Sequence, residues 1–67
     1  MGDDASVLPD IPDQADYEPR VVELAKHLTV TDDPNLPART QVTKWQHEGI
    51  DFLEQAYRLD AIGYRLT

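Results

Sequence analysis

Two histidines each lie one helical turn from an acid: Glu23 precedes His27 by four residues, and Asp51 follows His47 by four. If two antiparallel helices brought those faces together, the four side chains could form a carboxylate–imidazole site for a transition metal. The spacing matches neither the HExxH pattern of zinc proteases nor a calcium loop. His47 and Asp51 also fall on the polar half of their helix, so surface ion pairs are the expectation, with no metal and no other cofactor. Nucleophiles are scarcer still. The single serine, Ser6, stands in a segment with no periodicity, and there is no cysteine to act as a thiolate or bind zinc. Asp32 with Asp33 and Glu48 with Asp51 are close carboxylates, but no apolar pocket is evident to raise the pKa of either pair. Gly2, Gly49 and Gly63 stand too far apart to build a phosphate loop. These readings predict a protein that is not an enzyme.

Length and charge narrow the alternatives. A chain of 67 residues is at most one small domain. A domain of that size buries only ~60% of its unfolded surface, so a partner or self-association is a natural support. The formal charge is −7, and residues 1–16 hold five aspartates with no lysine or arginine, leaving the remainder at −2. Such a chain is repelled by phosphate backbones and by anionic membrane surfaces, so no direct nucleic-acid or membrane binding is expected. A basic protein surface would instead attract it. No apolar run approaches the ~20 residues needed to span a bilayer. The N-terminus is acidic where a secretory leader would be basic, and a cytoplasmic protein is expected.

The element pattern is all-α. Residues 1–15 carry prolines, small residues and aspartates without period, and are expected to form a disordered acidic tail, leaving 16–67 as the helical domain. Within the tail, Val7, Leu8 and Ile11 stand out as apolar residues among aspartates and prolines. A first helix is expected over about 16–29, capped by Asp16, with Pro19 in its first turn. Its stripe is Tyr17, Val21, Leu24, Ala25 and Leu28, and the β-branched Thr29-Val30-Thr31 suit an extended exit. The connector at 31–38, with Pro34 and Pro37, is a turn signal from which Leu36 tucks back onto the helices. A second helix is expected over about 40–59, ending before Asp60 returns to the apolar face, with Gly63 as a left-handed stop. The fold expected is a helical hairpin, able to dimerise into a four-helix bundle.

The second helix carries the functional argument. Val42, Trp45, Gly49, Ile50, Phe52, Leu53, Ala56, Tyr57 and Leu59 fill about half of its circumference, where one neighbour needs a stripe somewhat over ~100° wide. The shorter first helix cannot cover that face. Val42, Trp45, Gly49, Ile50 and Tyr57 are therefore the expected partner-binding residues, with Phe52 and Leu53 as core. The function expected is a small accessory or regulatory protein that docks this face on a protein partner or on a second copy as a homodimer. The alternative is an acidic inhibitor, or nucleic-acid mimic, binding a basic protein surface.

Overall fold

The computed structural model describes residues 8–65, and within them the fold is an all-α helical hairpin with an added strap. Helix α1 is Pro19–Asp32 and helix α2 is Ala38–Ala61. They pack along their lengths as an antiparallel pair, joined by the proline-rich connector. In that connector the Leu36 N–H donates to the Asp33 carbonyl at 3.3 Å, and Leu36 is half-buried.

Several boundaries differ from the sequence expectation, each for a physical reason. Helix α1 begins at Pro19, with Glu18 rather than Asp16 at its cap. Asp16 is taken up as the last residue of a 3₁₀ helix, Pro12–Asp16, and Pro19 fills a position where its missing N–H costs nothing. At the other end α1 runs through the β-branched residues to Asp32. Thr29 is buried and its hydroxyl donates to the Ala25 carbonyl at 2.9 Å, while Val30 is buried beside it. Packing overrides a weak local preference. Helix α2 continues past Leu59 because Asp60 is paired: its carboxylate meets Arg20 at 3.2 Å and Arg65 at 3.0 Å. The stop itself is as expected. Gly63 has φ +92°, its N–H donates to the Asp60 carbonyl at 3.0 Å, and the Tyr64 N–H reaches the Leu59 carbonyl at 3.0 Å, the two bonds of a Schellman motif.

The largest correction concerns the N-terminal segment. Part of the expected disordered tail is folded: from Leu8 onward the chain packs on the hairpin, so the folded unit starts no later than residue 8 rather than at residue 16. Residues 1–7, the remainder of that tail, lie outside the described residues. Residues 8–17, called the strap below, run along the crease between the helices and parallel to α2. Leu8 is buried, and the Trp45 indole Nε1–H donates to the Pro9 carbonyl at 2.7 Å. Ile11 sits against Gly49, and Tyr17 meets Tyr57 edge-on with ring centroids 6.1 Å apart. On the α1 side, Lys26 Nζ pairs with Asp10 at 3.4 Å. The strap is braced internally by Gln14, whose side-chain oxygen accepts the Ile11 N–H at 3.1 Å while its own N–H donates to the Ile11 carbonyl at 3.1 Å.

The core lies where the three pieces meet. Trp45, Leu53, Ala25 and Ala56 are fully enclosed, ringed by Leu8, Val21, Val22, Leu24, Val30 and Phe52. Burial of each large side chain contributes ~1.5–3 kcal/mol, so the strap adds a substantial share of a small domain's stability. Among the described residues the Trp45–Pro9 bond is the one polar tie from α2 to the start of the strap. Trp45→Phe keeps the aromatic bulk and leaves that carbonyl without its donor, at a cost of ~1–3 kcal/mol. Amide hydrogen exchange should then speed up by about tenfold at Gln14 and Tyr17, with less change in the α1–α2 core. Equal acceleration everywhere would mean that the strap does not open on its own.

Candidate docking surface

The five residues expected to meet a partner divide into two groups. Trp45 is completely enclosed and Gly49 is buried, so neither is available while the strap is seated. This corrects their assignment as contact residues: they form the seat of the strap. Val42 is half-buried at the edge of the core. Ile50 and Tyr57 are 40% and 60% exposed.

The division follows from helix geometry. The buried residues Gln41, Trp45, Gly49, Phe52, Leu53 and Ala56 form one arc of α2. The apolar face extends beyond that arc on one flank, through Gln46, Tyr57 and Ile50. The strap reaches Gly49 and, by way of Tyr17, one edge of Tyr57. Ile50 lies outside its cover. Gln46, which divides the apolar residues in the sequence, is exposed and has no buried amide to satisfy.

Gly49 is a fitted notch. A Cβ built there would stand 2.5 Å from Ile11 Cδ1 and 3.3 Å from Trp45 Cε3. The space left by the missing side chain is taken by an isoleucine of the same chain. Beside Tyr57, a groove of about 470 Å³ opens between Tyr17, Val21 and Asp60, with Asp16 and Glu18 at its lip. Asp60 was not singled out as a site residue, although its place on the apolar side of the wheel was a usable signal. A carboxylate there requires a cation, and Arg20 and Arg65 supply two.

The histidines and their neighbouring acids do not converge. His47 and Asp51 are exposed, His27 is half-buried, and among the described residues no three His, Asp or Glu side chains gather as a metal site. No described helix is long and apolar enough to cross a membrane. What the arrangement offers is contact surface: two large apolar side chains on one helical flank beside an acid-lipped groove. No protein-family model, no curated protein and no solved structure matches the chain.

The notch makes a quantitative prediction. Alanine at position 49 gains ~1 kcal/mol of helix propensity but collides with Ile11. Gly49→Ala should be more favourable by ~1 kcal/mol in an Ile11→Ala background than in the wild-type chain, as measured by urea unfolding of the four-protein cycle. Additive effects would show that Ile11 does not occupy the notch.

Proposed function

We propose that this chain is a small non-enzymatic interaction protein of accessory or regulatory kind, docking through the uncovered flank of α2. Ile50 and Tyr57 are the anchors and Val42 is the margin. The observation that carries this reading is that these two side chains stay exposed although the fold has recruited a strap to cover the rest of the face. Aromatic and large apolar residues dominate binding energy at protein interfaces, and this flank offers both at low ordering cost because it sits on a packed helix. Its occupant is another protein or a second copy of the chain, two flanks meeting to complete a four-helix arrangement. A cytoplasmic setting accords with an acidic chain whose described helices cannot cross a membrane.

A photo-reactive amino acid placed at Tyr57, and separately at the exposed Glu48 on the opposite side of α2, tests this in the cells that make the protein. A discrete adduct is expected from position 57 and not from position 48. An adduct of twice the chain's mass identifies self-association, and any other mass a distinct partner. Ile50→Ser should lower the yield several-fold with the circular dichroism of the purified protein unchanged. Adducts of equal yield from both positions, or none from 57, would sink the reading.

A further inference from the structure

A second surface lies on the other side of the strap. Between the strap and α1 runs a groove of about 590 Å³, within the range that holds small ligands or a few partner side chains. Its apolar walls are Ile11, Ala15, Tyr17 and Val22, with Pro12 and Pro19 as rigid shoulders. The prolines and the Gln14 brace fix the walls before anything binds, so little ordering remains to oppose association.

The charge around the groove selects the occupant. From Asp10 to Glu23 the chain carries five acids, Asp10, Asp13, Asp16, Glu18 and Glu23, against the single base Arg20. Arg20 is already committed to Glu18 at 3.3 Å and Asp60 at 3.2 Å, and Lys26 at the groove's end to Asp10. Among the described residues Asp13, Asp16 and Glu23 have no ion-pair partner. The groove itself is lined by Asp10 and Glu23 against the one base Lys26, with Asp13 and Asp16 beside it on the strap, so an anionic ligand is disfavoured and a cationic flank is favoured.

We propose that this groove receives an amphipathic segment of a partner protein, a large apolar side chain seated between Ile11 and Val22 with flanking lysine or arginine against Glu23 and the strap aspartates. The groove is lined by neither Ile50 nor Tyr57, so this proposal and the docking role of the α2 flank fail separately.

The test is an NMR titration of the full-length protein with a twelve-residue leucine/arginine amphipathic peptide. Three controls accompany it: the peptide with serine for leucine, the peptide with glutamate for arginine, and spermidine. The leucine/arginine peptide should shift the amides of Ala15 and Val22, and each control should bind at least tenfold more weakly. Ala15 and Glu23 are both exposed, so Ala15→Arg, which fills the groove, and Glu23→Lys, which reverses its rim, should leave the fold intact. Ala15→Arg should weaken the peptide at least tenfold and Glu23→Lys several-fold, whereas Ile50→Ser should have no effect. Equal binding of spermidine or of the serine peptide would reduce the site to a diffuse charge effect and overturn the proposal. So would undiminished binding to Ala15→Arg, shifts confined to Ile50 and Tyr57, or no binding at all.

Discussion

The fold depends on closing a helix face that is wider than its neighbour. Helix α2 has apolar residues over about half its circumference, and α1, with 14 residues against 24, is too short to line all of it. Without the strap the indole of Trp45 and the Gly49 notch would face water, and a hairpin of this size has little stability to spare. The strap closes the gap with few residues by using each contact differently. Leu8 supplies buried area, the Pro9 carbonyl satisfies an indole N–H that would otherwise be buried without a partner, and Ile11 fills the space made by a missing side chain. Glycine within a helix costs ~1 kcal/mol, and here that cost is offset by a contact that no larger residue at position 49 would permit.

The charged residues reinforce geometry more than they add stability. Asp60 is the instructive case, a carboxylate only 15% exposed on the apolar side of α2, flanked by two arginines whose own side chains are more than half exposed. Pairs with one solvated member contribute little, on the order of 0–1 kcal/mol. Their effect is positional: Arg20 ties α1 to the end of α2, and Arg65 ties the final turn to the same carboxylate. Lys26 and Lys44 act in a similar way, with their stems mostly covered and their ammonium groups reaching Asp10 and Asp32. Lys44 also lies 5.6 Å from the centre of the Phe52 ring. Among the described residues the acids without an ion pair are Asp13 and Asp16 on the strap, Glu23 on α1, Asp33 in the connector, and Glu48, Asp51 and Glu54 on α2, so the unbalanced charge is spread over the outer surface.

Reading the sequence recovered what periodicity encodes. The 3.6-residue pattern located both helices, the proline pair located the turn, and Gly63 marked the stop. The strap is not legible there because Leu8 and Ile11 are too few to define a period, and Tyr17 continues the helical stripe of α1 although it precedes that helix. Their spacing is set by where Trp45, Gly49 and Tyr57 fall on another element, and that complementarity appears only once both are folded. Prolines and aspartates among the apolar residues point to disorder by composition, although the same prolines stiffen an extended segment once it is held. Helix α2 does need an extra cover, and nothing in its own sequence shows that the segment just before α1 supplies it. Trp45 was misplaced for the same reason: a wheel shows which side a residue faces and not which element will arrive there.

The exposure of Ile50 and Tyr57 is a consequence of that cover's shape. A strap one chain wide can lie in the crease between two helices, and its side chains reach the near part of the α2 face. Ile50 is on the far margin, and covering it would take an element as broad as a helix. Tyr57 stands at the strap's end, where Tyr17 touches its edge and the chain then turns through Glu18 into α1. The chain folds with these two side chains uncovered because the enclosed set, from Leu8 through Trp45 to Ala56, already makes a continuous core. The same strap that limits the open flank of α2 forms one wall of the groove beside α1, with Tyr17 bordering the spaces on both sides. A single ten-residue segment thereby decides which part of the apolar face of α2 becomes interior and which is presented outward.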